Sequence, residues 1–195
     1  MRGTGGVFST YFVLVTSDFY NVFSKKSVEG LRRIRSYGHE IGLHFDEMRY
    51  PDIAGDMNAV RDKIRWEARI LGEALECEVR TVSMHRPSKD ILEADLKVPG
   101  MVNSYGQTYF REFKYLSDSR CRWREPVEAI IESEQFQRLH ILTHGFWYQD
   151  MEEAMEDTVR RFVNGANWER YEIYKDNFTD LFKAMSPDEI MGLHN

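Results

Sequence analysis

Two hydrophobic periods alternate along this chain, one of about two residues and one of three to four. Thr10-Tyr11-Phe12-Val13-Leu14-Val15 is a dense run of β-formers, apolar on both faces, as in the core of a parallel sheet. Asp18-Phe19-Tyr20-Asn21 reads as a loop. Ser24 can cap a helix reaching about Tyr37, with Val28, Leu31 and Ile34 three apart on one face and Gly38 at its end. A short strand is expected from Glu40 to His44. A polar loop through Pro51 then leads to Asp56, an N-cap for a helix whose stripe is Val60, Ile64, Ala68, Leu71 and Leu75. Val79 to Met84 is the next strand, ending at His85-Arg86-Pro87.

Residues 89–124 are less periodic, with short strands expected around Met101–Asn103 and Phe113–Leu116. Pro126 suits the first turn of a helix carrying Val127, Ile130 and Ile131. Leu139-His140-Ile141-Leu142-Thr143 is a further strand, ending at His144-Gly145. Met151, Met155, Val159 and Phe162 mark one helix, and Tyr171, Tyr174, Phe178, Leu181, Phe182 and Met185 mark another. Ser186-Pro187-Asp188-Glu189 caps a last helical turn. Strands alternating with helices predict an α/β fold with a mainly parallel sheet; the periodicity leaves a barrel and a doubly wound sheet both open.

Composition narrows the function classes. The 195 residues correspond to about one domain. With 42% hydrophobic and 30% charged residues the chain is not of the disordered kind. A net charge of −6 argues against nonspecific nucleic-acid binding. Two cysteines, Cys77 and Cys121, do not make a disulfide scaffold and suit a reducing compartment, so a cytoplasmic location is expected. No run reaches the 18 or more apolar residues of a membrane span. Arg2 and the run from Val7 to Val15 imitate a signal peptide, but Ser9 and Thr10 interrupt it and no small-residue cleavage site follows. Gly3-Thr4-Gly5-Gly6 precedes a strand instead of following one, the wrong context for a dinucleotide site.

Candidate chemistry lies at three histidines. His44, His85 and His144 each sit just past a short hydrophobic strand, where parallel α/β proteins gather ligands. One such histidine is usually an ordinary hydrogen-bonded side chain; three in equivalent positions suggest a metal or acid–base centre. His39, His140 and His194 lack that position and read as structural or solvent-exposed.

The flanking segments carry a resemblance. Gly38-His39-Glu40-Ile41-Gly42-Leu43-His44 resembles the GHEIGxH segment of polysaccharide deacetylases, the NodB-homology carbohydrate esterases. Thr10-Tyr11-Phe12, Thr16-Ser17-Asp18-Phe19-Tyr20-Asn21, Thr81-Val82-Ser83-Met84-His85 and Leu142-Thr143-His144 resemble, in order, a branch associated with surface-polysaccharide synthesis. The resemblance covers roughly residues 7 to 150. It implies a distorted (β/α) barrel, commonly of seven strands, here incomplete and placed over residues 1–165; residues 166–195, which the resemblance does not cover, are expected as a helical extension packed on it. It also implies a divalent metal, zinc before others, and hydrolysis of the N-acetyl group of a sugar or polysaccharide precursor.

Residue by residue, His44 matches the family's first histidine ligand. The second would fall at Met48, whose thioether is a poor ligand, so His85 looks like its replacement. Arg86-Pro87 resembles an RxP element whose arginine orients the catalytic carboxylate at the substrate. His144 matches the terminal LxH histidine, the general acid. Asp118 and Trp123 loosely match the Asp and Trp of a further motif, and Trp147 is either a sugar-stacking wall or plain packing.

The departure from the family is at the start, where its strand ending in two aspartates has no counterpart: none of the nine residues before Thr10 is acidic. Asp18 and Asp46 read as solvated or turn-forming. The expectation is therefore weakly held metal and poor or absent deacetylase activity. An exposed sheet edge is expected too, covered by the Trp168–Met185 stripe within the chain or in a homodimer, although an outer helix packed on the sheet is the simpler reading of that stripe. The alternative is a non-catalytic carbohydrate-binding or scaffold protein, with Trp123, Trp147 and nearby tyrosines stacking on sugar rings. A different metal hydrolase on a similar barrel is a third, weaker reading.

Overall fold

The computed structural model describes residues 7–192. The expectations for Arg2, Gly3-Thr4-Gly5-Gly6 and His194 lie outside the described residues. The chain divides into two compact units, 1–114 and 115–195.

The first unit contains β1 (Thr10–Val13), α1 (Lys25–Ser36), β2 (Glu40–Phe45), α2 (Met57–Leu75), β3 (Thr81–Met84), α3 (Lys89–Glu93), β4 (Val102–Asn103) and α4 (Gln107–Arg111). The four strands pair in chain order, β1-β2-β3-β4, and every pairing is parallel. This is an α/β fold with a parallel sheet. Capping starts its helices where the sequence places them. Ser24 Oγ accepts from Ser27 N at 3.2 Å at the head of α1. Asp56 Oδ1 accepts from Asn58 N at 2.9 Å and Ala59 N at 3.1 Å at the head of α2. Both satisfy amides that have no partner inside the helix.

Strand periodicity gives the sheet two unlike faces. Ile41, Leu43 and Phe45 on β2, with Val82 and Met84 on β3, join Val60, Ile64, Ala68, Leu71 and Leu75 of α2 in one buried apolar cluster. Residues in the alternate positions, Gly42, His44, Thr81 and Ser83, belong to the opposite face. A Cβ at Gly42 would lie 2.7 Å from the Phe12 ring and against Thr81 Oγ1, so glycine keeps three strands in register there.

β1 departs from the expected strand buried on both faces. It lies at the end of the strand order, and Tyr11 is 42% exposed. It is also shorter than the apolar run, because Leu14 N donates to the Tyr20 hydroxyl at 2.9 Å and leaves the ladder.

The second unit holds β5 (Lys114–Ser117, starting at the boundary), α5 (Val127–Glu132), β6 (Leu139–Leu142), α6 (Met155–Lys175), α7 (Leu181–Ala184) and α8 (Pro187–Gly192). β5 and β6 form a two-stranded sheet. The two helices expected at 151–162 and 171–185 are corrected: one 21-residue helix, α6, carries Met155, Val159, Phe162, Tyr171 and Tyr174 together, and Phe178 lies beyond it. The final cap forms as expected, with Glu189 N donating to Ser186 Oγ at 3.3 Å and Ser186 N to Glu189 Oε1 at 2.9 Å. Among the described residues, no helix is long and apolar enough to cross a membrane.

Candidate functional site

In the first unit the polar face of the sheet ends in a pair of histidines. His44 is the fifth residue of β2, and His85 directly follows β3. His85 N donates to Phe45 O at 2.8 Å, which extends the parallel ladder by one step. His44 Nε2 and His85 Nδ1 come to 3.1 Å, with ring centroids 5.0 Å apart and planes at 77°. Two imidazole nitrogens at that distance share one proton, one ring donating and the other accepting. They are also close enough to contact a single zinc ion at its usual ~2.0–2.1 Å from nitrogen. Among the described residues, no group of three or more His, Cys, Asp or Glu side chains converges as a metal cage. Met48, at the family's second ligand position, is exposed.

Asp46 meets one of the two roles expected of it, turn former, and not the other. It is 3% exposed, not solvated, although it does form a turn: Met48 N donates to its Oδ1 at 3.2 Å. Arg86 Nη2 donates to its Oδ2 at 2.5 Å. Burial would raise the Asp46 carboxyl, but the hydrogen bond and charge of Arg86, with the Met48 amide, outweigh it and hold the group below the usual range. Glu47 holds both Ser88 N and, at 3.1 Å, Ser88 Oγ, a second tie between the turns after β2 and β3. Asp18 is exposed and pairs with Arg49.

Sequence reasoning missed Glu67. It is fully buried within the apolar stripe of α2, where it accepts from the Tyr50 hydroxyl. Its second oxygen, Oε2, has no hydrogen-bond partner. Burial raises its pKa against the opposing effects of Tyr50 and Lys63. The Tyr50 hydroxyl is pushed up as well, by burial and then by Glu67.

The second unit brings Asp118 and His144 together. Asp118 directly follows β5, and His144 lies two residues beyond β6. The buried Asp118 carboxylate accepts from His144 N at 3.1 and 3.0 Å, from His144 Nδ1 at 2.6 Å and from the Tyr148 hydroxyl at 3.2 Å. An ionised carboxylate only accepts, so the His144 proton sits on Nδ1 and Nε2 is left for acid–base work. The Tyr148 hydroxyl is raised by burial, then by the Asp118 charge. Trp147 is half-buried, edge-on to Phe146 at 4.8 Å, with its indole nitrogen buried and unpartnered. Trp123 is half-buried between β5 and α5. His140 lies against the Tyr115 ring at 5.2 Å and is lowered by burial. His39 Nδ1 accepts from Ser9 N at 3.3 Å. Both have structural surroundings.

The two groups belong to different compact units. Compared with known proteins, the chain matches no family model, no curated protein and no solved structure.

Proposed function

We propose that this chain is a metal-dependent amide hydrolase of the polysaccharide deacetylase type, acting on the N-acetyl group of a sugar with low turnover. The observation that supports it most is the 3.1 Å approach of His44 Nε2 and His85 Nδ1 at the carboxyl ends of adjacent parallel strands. In this reading those two nitrogens hold zinc. When bound, zinc polarises the amide carbonyl and acidifies water. In the reaction this reading calls for, water adds to the acetyl carbon, the C–N bond breaks, a water proton passes to the departing amine and acetate leaves. The Asp118–His144 pair of the second unit is proposed as an acid–base pair in its own right: Asp118 holds the Nδ1 proton, so Nε2 takes up a proton before it can give one. Two imidazoles fill two of the four positions zinc prefers, so weak binding and low turnover go together.

Free Cys77 and Cys121 favour a cytoplasmic location within this proposal. Closure of the parallel sheet into a barrel, and a homodimer using the β1 edge, belong to the same proposal. The test is zinc titration of chelator-stripped protein by calorimetry, with acetate release measured from N-acetylated oligosaccharides. Saturable zinc binding lost in His44→Ala, and slow acetate release, are expected. A wild-type protein that binds no zinc overturns the reading. Phe146 at 39% exposure and Tyr148 at 55% favour a second reading, carbohydrate binding without chemistry. Oligosaccharide binding unaffected by chelator, with no acetate release, is its signature.

A further inference from the structure

We infer that Asp46 and Arg86 form a positioning clamp that holds His44 and His85 in contact. The inference rests on the metal-centre reading of those histidines but concerns residues that the reading leaves without a role. His44 and Asp46 lie two apart at the end of β2, on the same face by strand periodicity. His85 stands opposite Asp46 when the Phe45–Met84 register is carried one residue further. Arg86 follows immediately, and its guanidinium returns across the gap to the Asp46 carboxylate at 2.5 Å.

The single ion pair therefore joins the residue two past His44 to the residue next to His85. The Asp46 end is anchored: it is buried and also bound to the Met48 amide. The Arg86 end is 59% exposed, so its guanidinium can be altered without opening the core. An ion pair buried at one end and tied to backbone keeps its geometry better than a surface pair. Because the clamp crosses between strands, it sets the spacing of the two imidazoles without touching the ion itself. Partners outside a metal's own ligands typically change affinity by roughly 10- to 100-fold.

The test uses the full chain carrying Asp46→Asn, Arg86→Gln or both, with folding checked by circular dichroism. Zinc calorimetry should show each single variant roughly 10-fold or more weaker and the double variant no weaker than the worse single. An Arg86→Gln variant that binds zinc equally or more tightly overturns the clamp, since Arg86 would then only be competing with the cation for Asp46. A second readout needs no metal: ring nitrogen NMR of the apo protein. Wild type should show one protonated and one bare nitrogen at the His44–His85 contact, and both singles should average them. Unchanged signals in the variants, or no such pair in wild type, also overturn the clamp. Apo signals that behave as expected in a protein binding no zinc leave the clamp standing and remove the metal reading instead.

Discussion

At the scale of single residues, Glu67 sets a pH dependence opposite in sign to that of a paired surface carboxylate. Its folded pKa is raised by burial, so the native state binds a proton that the unfolded chain releases. Its contribution to stability is full below the ordinary glutamate range and is lost as pH rises through the raised folded value. Glu67→Gln should flatten that fall and match or exceed wild type at neutral pH, read from urea midpoints at acidic and neutral pH. Tyr50→Phe should cost about 1–3 kcal/mol, because it removes the hydrogen bond to a carboxyl whose other oxygen is already unpartnered. Gly42→Ala should cost a similar ~1–3 kcal/mol by forcing a methyl against Phe12 and Thr81, measured by thermal melting. His44 and His85 were legible from sequence because both end apolar strands, and parallel pairing makes such ends neighbours. Glu67 and Asp46 were not. Each is a charged residue whose partner, Tyr50 or Arg86, is 17 or 40 positions away, so local pattern assigns both to solvent.

At the scale of elements, legibility followed length and capping. α1 and α2 begin beside their expected caps because Ser24 and Asp56 stop the preceding loop and a long apolar stripe follows. Asp56→Ala should lower stability by about 1 kcal/mol, seen as a shift in urea midpoint with unchanged slope. α6 was split because its stripe thins across Asn164-Gly165-Ala166-Asn167; no proline interrupts it, and one glycine costs a helix only about 1 kcal/mol. α4, five residues from Gln107 to Arg111, is too short to show a helical period. The two residues of β4 owe their pairing to β3 and not to any pattern of their own.

At the scale of the whole chain, the apolar cluster that runs from Val13 to Val98 lies entirely in the first unit. The second unit buries Leu116, Tyr171 and Ile190, while Val163, Ile173 and Phe182 remain exposed. A fragment of residues 1–114 should therefore unfold cooperatively in urea, and a fragment of 115–195 should not. The sheet order adds a consequence for biosynthesis. Because β1 to β4 lie side by side in the order they are translated, each new strand leaves the ribosome beside the neighbour it will pair with. The helix between them is already available to cover the crossover, and loop closure stays short. The histidine contact and the Asp46–Arg86 pair need only β2, β3 and the residues that directly follow them, so they can assemble before β4 has paired.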